Sequence, residues 1–160
     1  MSWFVLHLRP RSEKKVAQVC EINGLEYYLP LRSEVKIYQR RKVKVRKPLF
    51  PGYIFVAFEP EQRIYLLRTN HVVRILEPPS EEVLISQLEQ IQKALEVDET
   101  LGTASAIEKG RCVRIKGGPF MGVEGVVTDA GKSGTVRLNV EMIGQAVIVK
   151  VDRDYLEVID

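Results

Sequence analysis

The residues of this chain that could do chemistry are cations and aromatic rings placed close together. Residues 32–47 contain eight Lys or Arg and a single acid, Glu34. Phe50, Tyr53 and Phe55 follow directly. Lys and Arg attract phosphate groups and acidic protein surfaces, and aromatic side chains are frequent anchors for a protein partner. The pattern therefore indicates binding to nucleic acid, to another protein or to both.

The sequence lacks the usual catalytic and metal-binding patterns. His7 and His71 are the two histidines, and no nucleophile elbow, zinc-protease motif or Walker-type phosphate loop occurs. Cys20 and Cys112 lie far apart without the spacing of a metal or redox site, so we expect two buried free thiols. The sequence predicts that the protein is not an enzyme and that it has no cofactor and no metal site.

Charge and glycine content divide the chain. Lys and Arg exceed acids by nine in residues 1–76, acids exceed Lys and Arg by seven in residues 77–108, and eight of the 11 glycines lie between Gly110 and Gly144. We therefore expect two domains of different construction, residues 1–97 and 108–160, joined by a linker at residues 98–107. No apolar run approaches the roughly 18 residues that span a bilayer, and the first residues lack the features of a signal peptide. We expect a cytoplasmic monomer that does not associate with membranes.

The elements that must position the cations and rings follow from periodicity. Strands are expected at residues 3–8, 53–58 and 72–76, a helix at 13–23 with Ser12 as its N-cap, a hairpin at 35–45 with a charged tip, and a helix beginning near residue 81. Residues 53–58 are all apolar, which is typical of a strand buried on both faces. Pro48, Pro51 and Gly52 predict a rigid corner that leads into this strand.

The last 50 or so residues have a different pattern. Short β-rich runs at residues 112–116, 125–128, 136–140 and 146–151 alternate with glycine-rich turns at 117–119, 130–134 and 143–144. Short strands joined by such turns predict a small barrel, because closure removes exposed strand edges.

Two motifs in order give the chain a resemblance to a known family. Trp3-Phe4-Val5-Leu6, Arg9-Pro10-Arg11 and Pro48-Leu49-Phe50-Pro51-Gly52-Tyr53-Ile54-Phe55-Val56 resemble the N-terminal (NGN) domain of NusG-type transcription elongation factors. Lys109-Gly110, Val113-Arg114-Ile115, Gly117-Gly118-Pro119-Phe120, Gly122 and Gly125-Val126-Val127 resemble the KOW motif of the same family. The resemblance implies an α+β fold, with an antiparallel NGN sheet flanked by helices and a small C-terminal all-β KOW barrel. Pro48-Leu49-Phe50-Pro51 and the short linker are most similar to the specialised RfaH-like paralogues that act in transcription antitermination.

For the N-terminal domain, the resemblance implies binding to the clamp helices of the largest RNA polymerase subunit and suppression of pausing. Its docking surface would comprise Phe50, Tyr53, Phe55, Phe4 and Trp3, with Phe50 and Tyr53 accessible. His7 departs from the aromatic or small polar residue of relatives and is expected to be structural. The non-template DNA strand is the second implied ligand, and its candidate contacts are Arg9, Arg11, Lys14, Lys15, Arg40 and Arg41. The structural alternative for each hairpin cation is that it lies on a solvent-exposed strand edge and discourages pairing with another strand.

For the KOW domain, the resemblance implies recruitment of a small-subunit ribosomal protein or of termination factor Rho. Phe120, Val123, Met142 and Ile143 match the apolar turn positions that meet such partners, although they could equally plug the barrel from inside. A different class of function stays open: a ribosome-associated KOW protein that binds structured RNA would explain the cations but would leave the aromatic strand without a role.

Overall fold

The computed structural model describes residues 1–107, 110–128 and 134–160. In chain order the elements are β1 (Ser2–Leu8), α1 (Glu13–Ile22), β2 (Glu26–Tyr28), β3 (Leu31–Tyr38), β4 (Arg41–Pro48), β5 (Tyr53–Phe58), α2 (Arg63–Leu67), β6 (Val72–Leu76), α3 (Glu81–Val97), β7 (Thr103–Ser105), β8 (Arg111–Ile115), β9 (Glu124–Val127), β10 (Thr135–Val140), β11 (Gln145–Lys150) and β12 (Leu156–Val158). Lys109 of the KOW motif and residues 130–133 of the predicted turn lie outside the described residues.

The described residues form two compact units. The first comprises Met1–Leu31 and Pro48–Glu81, and the second comprises Arg32–Lys47 and Glu82–Asp160. The domain boundaries at residues 97 and 108 stay a prediction. The fold class is confirmed: an N-terminal sheet with helices is followed along the chain by an all-β C-terminal sheet.

In the first unit, a four-stranded antiparallel sheet has the order β2-β5-β1-β6. One face packs against α1 and α2 through a cluster that includes Leu6, Val16, Ile54 and Leu66, each with no exposed surface. Val5, Phe55 and Ala57 point to the other face by strand alternation, and they are at most 1% exposed. The prediction that residues 53–58 form a strand buried on both faces is confirmed.

The predicted corner before β5 is held by β1 and α1. Gly52 has a φ of 88°, which favours glycine, and its carbonyl accepts a 2.7 Å hydrogen bond from the Leu8 N–H. The Gly52 N–H donates to the carboxylate of Glu13, a buried residue in the first turn of α1, at 3.3 Å. Ser12 occupies the N-cap position as expected, but its side chain does not cap the helix. Its hydroxyl lies 3.2 Å from His71 Nδ1 instead.

The second unit contains the predicted hairpin, in which β3 and β4 form a two-stranded sheet. Gln39 and Arg40 make the turn with φ values of 46° and 66°. Positive φ at both positions is the geometry of a two-residue turn whose twist matches that of the strands.

The C-terminal sheet of the same unit has the order β12-β8-β9-β10-β11-β7. Its interior consists of aliphatic side chains with no exposed surface, among them Val113, Ile115, Val136, Val147 and Val149. The four predicted strands are confirmed as β8 to β11. The sequence missed β12, which pairs with β8, and β7, which lies in the predicted linker and pairs with β11.

The cysteine prediction is half wrong. Cys20 is buried in the α1 core, but Cys112 on β8 is exposed. Strand alternation explains the difference, because Val113 and Ile115 take the two inward positions of this strand. No helix among the described residues is long and apolar enough to cross a membrane.

Candidate functional site

An aromatic row lies on the face of the first sheet that does not pack on α1. It consists of Trp3 and His7 on β1 and Tyr53 on β5, and all three are half-buried. His7 and Tyr53 are cross-strand partners, and their rings stack with centroids 5.2 Å apart and an interplanar angle of 22°. Cross-strand stacking holds Tyr53 in place while leaving part of both rings accessible.

Two residues of the predicted docking surface are buried, which corrects the sequence analysis. Phe50 is 1% exposed and Phe55 has no exposed surface. A side chain without exposed surface cannot anchor a partner in this conformation. Both rings instead contribute to the core of the molecule.

Phe4 is half-buried but lies on the opposite face from the aromatic row. Its ring stacks on Phe58 with centroids 4.5 Å apart, and it packs against the α1 cluster. Of the five predicted docking residues, the structure therefore brings only Trp3 and Tyr53 to one face with partly exposed rings.

The sequence analysis missed His7 as a member of this row. The signal was present in the chain, because Trp3 and His7 are four residues apart on one strand and alternation places both on one face. What the sequence could not give is the register that sets His7 opposite Tyr53 on one side and opposite Arg74 of β6 on the other. Arg74 is exposed and adds a cation beside the row.

The cations at the start of α1 are presented as predicted. Arg9, Arg11, Lys14 and Lys15 are all exposed. The turn that carries them is fixed, because the Arg9 N–H donates to the His71 carbonyl at 2.8 Å and Arg11 adopts a left-handed φ of 62°. These four side chains form the basic turn of the first unit. Whether they contact DNA stays a prediction.

Arg40 and Arg41 belong to the hairpin of the second unit, where both are exposed. The base of the hairpin is fixed by Glu99, just after α3. The Glu99 carbonyl accepts from the Ser33 N–H at 2.8 Å, and its carboxylate pairs with Lys44 and, at 3.3 Å, with Arg46. These hydrogen-bonded cations lower the pKa of Glu99 below its usual value of 4.5.

Replacing Glu99 with Gln is expected to loosen the hairpin base, because Lys44 and Arg46 each lose an ion pair with this carboxylate. A carboxylate whose pKa falls on folding stabilises the fold above its usual pKa, and this contribution disappears as the pH falls through the folded pKa. Hydrogen-exchange protection of the β3 and β4 amides should therefore drop in E99Q at neutral pH, whereas in the wild type it should drop only when the pH falls below the usual glutamate pKa of 4.5. The E96Q variant, which changes an exposed acid of α3, is the control. Equal protection in E99Q and E96Q would contradict the role of Glu99.

Among the predicted KOW contacts, Val123 is corrected and the others remain candidates. Val123 is 2% exposed, so its side chain cannot contact a partner, and its backbone is hydrogen-bonded to Ile115 and Phe120. Phe120, Met142 and Ile143 are half-buried. Phe120 lines a cleft of about 360 Å³ together with Leu101, Ile148 and other residues.

Two glutamines of α3 form a contact that the sequence did not suggest. Gln90 Oε1 accepts from the Glu124 N–H at 2.8 Å, and Gln87 Oε1 accepts from the Glu141 N–H at 3.2 Å. Polar residues on a helix are ordinarily assigned to its solvated face, so no local pattern marks these two. Within the described ranges, no group of three or more His, Cys, Asp or Glu side chains is arranged to hold a metal ion.

Comparisons with known proteins identify a family for this chain. A family model described as "Transcription termination factor nusG" matches residues 1–95, more than half of the chain. The transcription termination/antitermination protein NusG of Thermus thermophilus is 26% identical over 176 residues, which cover 95% of each protein. A solved structure of Thermotoga maritima NusG is 20% identical with a TM-score of 0.47 and covers 99% of this chain and 97% of that one. A solved Spt4:Spt5 complex is 18% identical with a TM-score of 0.31 and the same coverage. Both TM-scores are too low to support a structural argument.

Proposed function

This chain belongs to the NusG family of transcription factors, and from that premise we propose that it is an elongation and antitermination factor that binds the clamp helices of RNA polymerase. The observation that carries the proposal is the aromatic row of Trp3, His7 and Tyr53. Partly exposed rings on a rigid sheet offer a large contact area and lose little entropy when a partner helix packs on them. Phe50 and Phe55 are buried, and in this proposal they do not contact the polymerase.

The DNA part of the proposal rests on exposed cations. In this proposal the exposed side chains of the basic turn, Arg9, Arg11, Lys14 and Lys15, contact phosphates of the non-template strand. Such contacts fix position and weaken with salt, so they supplement the docking of the protein on the polymerase. The sequence motif Pro48-Leu49-Phe50-Pro51 supports a specialised, RfaH-like role.

In the C-terminal sheet, the proposed contacts are Phe120, Met142 and Ile143. They lie in two turns, and their partly exposed side chains are suited to an apolar patch on a ribosomal protein or on Rho. Val123 is left out of this set because it is buried.

Replacing Tyr53 with Ala is expected to weaken binding to DNA-free core polymerase by about 2 kcal/mol, or roughly 30-fold, as truncation of an interface anchor does. The fold should persist, because Tyr53 is half-buried at the start of β5. Affinity can be measured by competition with a labelled wild-type protein. H7A should produce part of the same loss, because His7 supports the Tyr53 ring.

The matched control is Tyr38→Ala on the hairpin, where the ring is 54% exposed and far along the chain from the row. It should bind the core polymerase like the wild type. If Y53A retains full affinity while its circular dichroism and unfolding midpoint stay unchanged, the aromatic row does not contact the polymerase.

A further inference from the structure

The distal half of the hairpin, residues 35–43, exposes large apolar side chains. Ile37 is 71% exposed, Val35 is 65% exposed and Tyr38 is 54% exposed. By strand alternation, Val35 and Ile37 share one face of β3, and Tyr38 lies on the other next to the turn. Apolar side chains clustered at this degree of exposure are typical of interaction sites.

The base of the hairpin is anchored, so the exposed half is a preformed element. Glu99 binds Lys44, Arg46 and the Ser33 N–H, and the Arg32 Nε donates to the Thr100 carbonyl at 3.2 Å. A two-stranded ribbon is marginally stable by itself, and these contacts supply the support that it needs. A partner would therefore meet an ordered ribbon.

The charge of the hairpin points to an anionic partner. Its one acid, Glu34, is already paired with Lys47 at 3.0 Å. Arg40, Arg41 and Lys42 form no ion pair with an acid in the part of the chain that the structure describes. The neighbouring Lys47 amine lowers the pKa of Lys36, which shows that cations are crowded along this ribbon. A bound polyanion would relieve that crowding.

We propose that the distal half of the hairpin is a ribbon that seats in a groove of duplex DNA. The inference rests on the proposed function and adds a second DNA element, the duplex, to the single strand assigned to the basic turn. A two-stranded β-ribbon fits the major groove of B-DNA. Arg40, Arg41 and Lys42 then contact phosphates, while Ile37 and Val35 contact thymine methyl groups and sugars.

The side chains favour a duplex over the other anionic surfaces. Binding of single strands relies on aromatic platforms for stacking, and the hairpin offers one ring, Tyr38, among aliphatic residues. Binding of membrane interfaces relies on Trp, Phe and Leu along one apolar face, and residues 32–47 contain none of these. Aliphatic side chains between cations match the methyl groups and phosphates of a duplex groove.

The test is fluorescence anisotropy of the full-length protein with a labelled DNA duplex of about two helical turns, measured over a range of NaCl concentrations. The variant with Arg40, Arg41 and Lys42 all changed to Ala should lower the slope of log affinity against log salt by about two to three, one unit for each lost phosphate contact. I37S should weaken binding several-fold with the slope unchanged. I22S, at a 75% exposed isoleucine on the last residue of α1, is the matched control and should bind like the wild type.

Three results would overturn the proposal. The first is that the wild type binds a single strand of the same sequence as tightly as the duplex, and that I37S loses as much affinity for the single strand as for the duplex. Another is equal loss in I22S and I37S. The third is duplex affinity that is unaffected in the triple variant while binding to phosphatidylserine vesicles collapses. The Y53A variant distinguishes this proposal from the proposed function. Y53A should bind the polymerase more weakly and the duplex as tightly as the wild type does, whereas the hairpin variants should bind the DNA-free core polymerase like the wild type.

Discussion

The Phe55→Ala variant is expected to lose about 3–5 kcal/mol of unfolding free energy, the usual cost of truncating a fully buried phenylalanine. Phe55 has no exposed surface and sits in the central strand, opposite Val5 of β1. Removing the ring leaves a cavity beside β5. This strand cannot move to fill the cavity without breaking its hydrogen bonds to β1 and β2. Native domains have only about 5–15 kcal/mol of unfolding free energy, so the variant would lose a large part of its stability.

Urea unfolding followed by the fluorescence of Trp3 measures this loss directly. Trp3 is the single tryptophan of the chain and lies opposite Ala57 in the same sheet, so it reports on the first unit. Y53A is the control and should shift the unfolding free energy by about 1 kcal/mol or less, because its ring is already partly exposed. If F55A stays as stable as Y53A but loses polymerase binding, Phe55 belongs to the docking surface after all.

Gly134→Ala should cost roughly 3 kcal/mol or more, at the upper end of the range for overpacking. A Cβ at this position would clash with the Val151 carbonyl oxygen, a backbone atom that cannot rotate away. A hydrogen bond also joins these two segments, because the Val151 N–H donates to the Gly134 carbonyl at 2.8 Å. Relief of the clash therefore requires β10 and the end of β11 to separate, and a small sheet has little stability to spare.

The effect of G134A is expected in the second unit, and NMR or hydrogen exchange of the C-terminal strands would show it there first. The matched control is G102A, because a Cβ at Gly102 meets nothing within 4 Å. Equal unfolding midpoints for the two variants would show that the approach of residues 134 and 151 is looser than the structure indicates.

Most of the strands and helices could be predicted because local patterns encode them. Residues 53–58 are apolar without interruption, Ser12 and Glu13 mark a helix start, and glycine-rich turns separate β8 to β11. Each of these features depends on residues close together in sequence. The same was true of the hairpin, whose two alternating runs flank a polar turn.

The strands that were missed depend on distant partners. Thr103–Ser105 has small polar residues and no periodicity of its own, and it is a strand because β11 offers it three pairings. Leu156–Val158 similarly gains its conformation from β8. A short segment of this kind cannot be distinguished from a loop without knowledge of the sheet edge that accepts it.

The sequence predicted an aromatic surface on the first domain but did not show which of its rings would be exposed. The resemblance to the family assigned five aromatic residues to one docking surface. Phe55 and Tyr53 share one strand face, yet Phe55 is fully buried and Tyr53 is half-buried. Which end of a strand face is covered depends on the packing of the rest of the chain, and no local pattern records it. For the same reason, the alternation of Val35 and Ile37 predicted a strand but gave no sign that both would face solvent.

The pairing of β7 with β11 also sets the length of a tether. With β7 in place, α3 and the C-terminal sheet are joined by residues 98–102, which could span at most about 18 Å if fully extended. If the three β7 pairings open, the connection lengthens to residues 98–107 and its maximum reach roughly doubles, to about 35 Å. Movement of the sheet away from α3 would therefore require the β7 pairings to open and the Gln87 and Gln90 hydrogen bonds to break.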